Sequence, residues 1–274
     1  QVRFRGNPDY WGGAPKVERL VLAITPEPNV RQQRLKAGDC QIALYPRPVD
    51  IPALKADPKL QVLELDSLLT AYIGINTRHP PLDDVRVRQA LNLAFDKAAY
   101  IRAQYGEGNA TPAVAPYPAT LWGHDPTLTD WPHDPERARQ LLAEAGHADG
   151  FALSIWTRPG GGPTNPNPGI GAQMLQADLA AIGIRSDIRV FEWGELIKRA
   201  KNGEHDLLFM GWAGDNGDPD NFLTPQFACA SVESGLNFAR YCDEALDKLI
   251  ADGKTSSDQD ERSRLYHQAQ QIIQ

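Results

Sequence analysis

Asp215, Asp218 and Asp220 stand within six residues of one another in the stretch 211–221, which reads Gly-Trp-Ala-Gly-Asp-Asn-Gly-Asp-Pro-Asp-Asn. Carboxylates at such spacing can ligate a cation, cap turns, or present one charge to a ligand. A calcium loop needs ligands at alternate positions before a glycine, but Gly217 falls where a ligand is wanted and Asp218 comes one residue late. A metal is therefore not expected. Asp and Asn beside Gly and Pro favour turns closed by their own side chains. From the residues alone, an Asx-turn assembly and one carboxylate aimed at a cationic ligand group both stay open.

A second stretch of interest is Gly160-Gly161-Gly162, which follows an apolar run, with Gly169 and Gly171 opening a helical stretch beyond it. A dinucleotide fingerprint needs a third glycine where Met174 stands, so a flexible turn lining a cleft is the better reading. Cys229 and Cys242 lie 13 positions apart without the His or Cys neighbours of a zinc site. A disulfide or two buried thiols would each fit, and Cys40 is left over. The six histidines show no paired spacing, and no nucleophile elbow, zinc helix or phosphate loop occurs. An enzyme, such as an oxidoreductase using the glycine loop with a dinucleotide cofactor, lacks both an acidic ribose ligand and a catalytic acid.

Those residues need a scaffold. Residues 151–157, 184–191 and 206–212 read as strands, and 170–182 and 192–201 as the helices between them, stopped at Gly183 and at Asn202-Gly203. A βαβαβ run of this kind is a doubly wound sheet, and such sheets bind ligands beyond the carboxyl ends of their strands. The loops after residues 157, 191 and 212 are thus the ones to inspect. Trp156, Trp193 and Trp212 sit at those three strand ends and are expected to line an apolar cleft.

Upstream, 17–24 and 40–44 read as strands around a helix at 28–36, which predicts a parallel crossover pair. A short helix is expected over 50–56, strands over 60–65 and 70–76, and a helix from Asp83-Asp84 to Phe95 with Val87, Leu91 and Phe95 inward. Asp134-Pro135 starts another helix that Gly146 ends. Residues 261–274 read as an amphipathic helix with Leu265, Ala269, Ile272 and Ile273 on one side.

The 274 residues are 42% hydrophobic and 23% charged, which fits a globular α/β protein and excludes coiled coil and collagen. The 23 Gly and 22 Pro are scattered, so they must serve many turns. A net charge of −7 without a basic stripe argues against nucleic acid as partner. The chain starts at Gln1 without a basic-apolar leader and ends inside an amphipathic stretch, so it is expected to be a piece of a longer protein.

Several segments, in order, resemble the dipeptide/oligopeptide-binding family, the family 5 solute-binding proteins of bacterial ABC importers. They are Asn7-Pro-Asp-Tyr-Trp-Gly-Gly13, Ile24-Thr-Pro26, Leu82-Asp-Asp-Val-Arg-Val-Arg-Gln-Ala90, Phe191-Glu-Trp-Gly-Glu195, Lys198-Arg-Ala-Lys-Asn-Gly-Glu204 and the stretch 211–221. The resemblance implies a periplasmic-binding-protein type II fold with two lobes, residues 1–69 closing the first and 70–274 forming most of the second. It implies a periplasmic, monomeric, non-enzymatic peptide receptor that serves an inner-membrane ABC permease and carries no cofactor. Cys229 and Cys242 fall where this family has a disulfide, and Cys40 where one half of another sits.

By the same resemblance, Asp215 takes a peptide's α-ammonium, with Gly211, Trp212, Trp193 and Thr164 around the ligand. The family grips the peptide carboxylate with an arginine just before the Pro163-Thr-Asn-Pro-Asn167 segment, but Gly162 stands at that position. Arg158, four residues upstream, could substitute if the loop folds back. Close relatives carry haem or glutathione, which makes such a carrier the alternative within the same fold.

Overall fold

The structure, a computed structural model, describes residues 1–274 and divides into two compact units, Gln1–Ile51 and Pro52–Gln274. In the first unit, β1 (Val2–Arg5) pairs antiparallel with β2 (Arg19–Leu22), and α1 (Pro28–Lys36) follows. The expected parallel crossover does not form. Residues 40–44 are mostly apolar, yet Ile42 and Leu44 are exposed and no strand lies beside them, and a strand exists only where a neighbour takes its backbone hydrogen bonds. The same holds for residues 60–65, which carry no regular structure and leave Leu63 and Leu65 exposed. The short helix α2 (Ile51–Lys55) arises close to where it was expected.

The second unit is built on β3 (Leu69–Ile75), α3 (Val85–Ala94), α4 (Lys97–Tyr105), α5 (Pro135–Glu144), β4 (Ala152–Thr157), α6 (Pro168–Ala181), β5 (Arg185–Val190), α7 (Trp193–Lys201) and β6 (Leu207–Ala213). It is completed by α8 (Asp220–Phe227), α9 (Ser231–Ser234), α10 (Glu244–Thr255) and α11 (Gln259–Ile273). Helix starts follow the sequence signals: the side chains of Asp84, Asp134, Asn167 and Asp243 each accept a backbone N–H of the first turn.

The sheet order is β3-β6-β4-β5, with β4 parallel to both β5 and β6 and β3 antiparallel on the edge. The period-two alternation divides the core between the two faces. Ile155, Leu207 and Phe209 pack with Val87, Leu91, Leu142, Leu175 and Leu179, whereas Trp156, Leu208 and Met210 pack on the other face with Leu196, Ala200 and Phe238. A third cluster joins Tyr117 and Phe222 to Leu246, Ile250 and Tyr266 beneath the end of β6. The chain runs from β4 outward to β5, then returns across β4 to β6. The strand order therefore reverses at β4, and the loops after β4 and β6 are neighbours at the point where such sheets open a crevice.

Cys229 and Cys242 form a disulfide with Cα atoms 4.7 Å apart, and Cys40 is free. On α11 the inward residues are Tyr266, Ala269 and Gln270, while Ile272 is exposed. The face expected from apolar spacing is rotated because Gln270 is satisfied inside: its Oε1 accepts from Asp125 N at 3.2 Å and its Nε2 donates to Gly123 O at 2.8 Å. No helix is long and apolar enough to cross a membrane.

Candidate ligand-binding site

The loop after β6 is an Asx-rich assembly. Asn216 Oδ1 accepts from Asp218 N at 3.1 Å, Asp218 Oδ1 from Asp220 N at 2.9 Å, and Asn221 Oδ1 from Asp215 N at 3.1 Å. Two of the three aspartates are also committed through their side chains. Asp218 takes both arms of the Arg262 guanidinium at 2.8 and 2.9 Å, and Asp220 accepts from the Thr224 hydroxyl. Asp215 is exposed, and its carboxylate has neither an ion pair nor a hydrogen-bond donor. Turn-making and presentation of a charge therefore coexist, with different aspartates doing each. No three His, Cys, Asp or Glu side chains converge as a metal ion would require.

Across the crevice, the loop after β4 uses its three glycines for three separate reasons. Gly160 has φ +69°, which strains any side chain. A Cβ on Gly161 would overlap the Pro166 carbonyl. A Cβ on Gly162 would overlap Nη2 of Arg158, so the arginine side chain occupies the space that this glycine leaves. The loop does fold back: Gly162 and Asn165 exchange backbone hydrogen bonds at 2.9 and 3.2 Å. Helix α4 clamps it, as Tyr105 Oη donates to Thr164 O at 2.6 Å and Gln104 bonds both the N–H and the carbonyl of Asn167.

Arg158 has no acidic partner. Its guanidinium lies 5.3 Å from the centre of the half-exposed Trp193 ring, and burial lowers its pKa, although an arginine so placed keeps its charge. With Trp193, Thr164 and Gly211 it lines a cavity of about 50 Å³, whose wall also includes Thr157 and Asn165. Thr157 Oγ1 and Asn165 Oδ1 are buried without a hydrogen-bond partner. Buried polar atoms normally find one, so the cavity offers a cation and two unsatisfied groups to an incoming polar ligand. A Cβ on Gly211 would strike the Thr164 side chain, so glycine there lets the two loops approach.

A larger cavity of about 1030 Å³ runs along the unpaired edge of β3 and is lined by α3, α4 and the end of α11. Its charged residues are Asp66, Arg88, Lys97 and Asp130. Lys97 pairs with Asp130, and Arg88 donates to the carbonyls of Leu82 and Asp83. Lys97 is thus paired and Arg88 held by backbone carbonyls, which leaves Asp66 as the charged group there without a partner.

Among the residues picked from sequence, Arg158, Thr164, Trp193 and Gly211 thus share one cavity with Gly162 beside it. Asp215 lies on the adjoining loop, outside that cavity. Trp212 points its indole N–H to Asn221 Oδ1 at 3.2 Å and helps to hold that loop. The three tryptophans do not line one cleft: Trp156 is 1% exposed, inside the core, with its N–H on Ser154 Oγ. Strand-end position does not decide exposure, because the pleat turns Trp156 toward α7. Sequence reasoning missed Gln104, Tyr105 and Arg262, which hold the loops from distant helices and have no local signature.

The fold is that of an α/β binding protein of the periplasmic-binding-protein type II class, with the candidate loops at the sheet's switch point. Residues 1–234 match the bacterial extracellular solute-binding proteins, family 5 Middle, and the chain belongs to this family. It is 58% identical over 273 residues to di/tripeptide-binding protein 4 of Pseudomonas aeruginosa, covering 100% of this chain and 51% of that protein. It is 42% identical over 272 residues to heme-binding protein A of Haemophilus influenzae, covering 99% of this chain and 49% of that one. The crystal structure of a dipeptide binding protein from Pseudoalteromonas in complex with Met-Leu superposes with TM-score 0.91 at 35% identity, covering 99% of this chain and 53% of the other. The chain thus spans about half the length of the relatives it matches.

Proposed function

We propose that the full-length protein is the periplasmic substrate-binding component of an ABC importer, a monomeric receptor rather than an enzyme, that hands di- or oligopeptides to an inner-membrane permease. In this reading residues 1–69 close the first lobe and 70–274 form most of the second. Asp215 takes the peptide's α-ammonium and Arg158 its carboxylate, with Trp193, Thr164, Gly162, Gly211 and Trp212 shaping the walls. The observation that carries the reading is the pair of uncommitted opposite charges on neighbouring loops: a free carboxylate after β6 and an unpaired guanidinium after β4. A zwitterion complements both. Each charge-assisted contact contributes roughly 1.5–3 kcal/mol in a closed cleft.

The test is calorimetry on full-length protein with a dipeptide, its N-acetyl form and its C-terminal amide. Asp215→Ala should weaken only the ligands with a free amine, and Arg158→Ala only those with a free carboxylate. Equal affinity of either variant for the free dipeptide would overturn that residue's role. The similarity to heme-binding protein A supports a second reading as a haem carrier. Absorption spectra and mass spectrometry of whatever co-purifies with full-length protein separate the two.

A further inference from the structure

The loop that carries Asp215 is fastened to the body of the second unit by several ties, of which the one from Arg262 is the most heavily bonded. Arg262 of α11 grips Asp218 with both arms, donates through Nε to Gly253 O at 2.7 Å and through Nη2 to Tyr266 Oη at 3.0 Å, and lies 4.8 Å from the centre of the Trp122 ring. The Trp122 indole in turn donates to Gly217 O at 2.7 Å. The Arg262 side chain is only 17% exposed and makes four hydrogen bonds, so it is a fixed point rather than a surface ion pair. On the other side of Asp215 the loop is tied by Asn221, which accepts from both Asp215 N and the Trp212 indole.

Asp218 lies three residues from Asp215 on the same loop and would be a second carboxylate of equal attraction for a cationic group. We infer that Arg262 is a positioning residue for ligand capture: by sequestering Asp218 and packing on the Trp122 ring whose indole holds Gly217, it leaves Asp215 as the one carboxylate presented to the ligand's ammonium. This rests on the role given to Asp215 above. The benefit is preorganisation, since a fixed loop need not be ordered when the ligand arrives. A second effect is discrimination, because a ligand held at one carboxylate has one register.

The experiment uses full-length protein and the dipeptide Ala-Phe with its N-acetyl form, measured by calorimetry. Asp215→Asn should weaken Ala-Phe by about tenfold or more. Arg262→Gln should weaken it about three- to tenfold and leave the N-acetyl peptide unchanged, and Asp215→Asn should cost less in the Arg262→Gln background, where the released Asp218 takes over. Asp218→Asn, which keeps Arg262 on Trp122, Gly253 and Tyr266, guards against a folding defect and should show the same selective loss. If Asp215→Asn costs affinity while neither Arg262→Gln nor Asp218→Asn does, the positioning role is overturned and the anchor stands. Equal loss for both peptides would likewise overturn it, as that is the signature of a merely structural residue. If Asp215→Asn itself changes nothing, the anchor assignment fails first.

Discussion

Substituting Gly162 by alanine tests whether the guanidinium of Arg158 sits where the structure has it. The added methyl would overlap Nη2 of Arg158, and the atom that must yield is the end of a long side chain rather than backbone. Gly162 is half-buried and has no left-handed φ, so alanine strains nothing locally, and the unfolded chain loses entropy in its favour. Stability should therefore be unchanged or slightly raised. Affinity should fall, because the guanidinium leaves the cavity between Thr164 and Trp193. A hydrogen bond to a charged group contributes about 1.5–3 kcal/mol, and about 1.4 kcal/mol is a factor of ten, so Kd for a free dipeptide should rise roughly ten- to a hundredfold. The C-terminal amide of the same peptide should be almost indifferent. Gly161→Ala is the contrast: it meets the Pro166 carbonyl, backbone that cannot swing aside, so both the melting temperature and the affinity should drop. Calorimetry and thermal melts on full-length protein read both quantities. Unaltered dipeptide affinity in Gly162→Ala would refute the relocation of the carboxylate anchor to Arg158.

Two further predictions concern stability. Burial pushes the His205 pKa down to about 4, and its Nδ1 has no partner while Nε2 faces Phe238 O at 2.8 Å. The folded value lies below the unfolded one, so the unfolded state binds more protons, and stability present above about pH 6.5 is lost as the pH falls toward about 4, by on the order of 3 kcal/mol. Melts at neutral pH and near pH 5 should diverge in the wild type and converge in His205→Asn; equal divergence in both would exclude His205 as the cause. Alkylation without reductant should label Cys40 and spare Cys229 and Cys242. Reduction should then cost about 3 kcal/mol from loop closure, and labelling of all three at once would contradict the bridge.

The parts of the fold that were legible in the sequence are those specified by contiguous residues. Helix starts at Asp84 and Asp134 show because the cap and the N–H it accepts lie within three positions, whereas the cap at Asn167 escapes the sequence reading and its helix begins two residues before the expected 170. The strands at 152–157 and 207–213 show because a buried parallel strand is a run of apolar residues, whereas the edge strand at 185–190, mostly exposed, shows by polar residues set around Ile188. Residues 40–44 and 60–65 have the same local look without a partner strand, and pairing is not written in either stretch alone. Helix α4 was invisible for the opposite reason: it is short, and its inward residues include Gln104, whose amide is satisfied by Asn167 far along the chain.

The site divides along the same line. The residue types point to the stretch 211–221 and to the glycine loop, while Asp215 and Arg158 are singled out there by the family resemblance. Which of the three aspartates stays free is not written in the spacing, since it depends on Arg262 reaching Asp218 from 44 positions away; the choice of Asp215 comes from the family resemblance. That Arg158 could stand in at Gly162 is an expectation conditional on the loop folding back, and the fold-back itself is not written in the residues. A glycine looks like a lost function when the residue is read alone, and like a relocated one when its empty Cβ position is found filled by a guanidinium. An anion anchor needs a cation at a place, not at a sequence position, so a loop that trades a side chain at 162 for one at 158 can conserve the charge while erasing the motif. The unpartnered state of Arg158, with Thr157 Oγ1 and Asn165 Oδ1 unsatisfied in the same cavity wall, is what supports the proposed trade over simple loss.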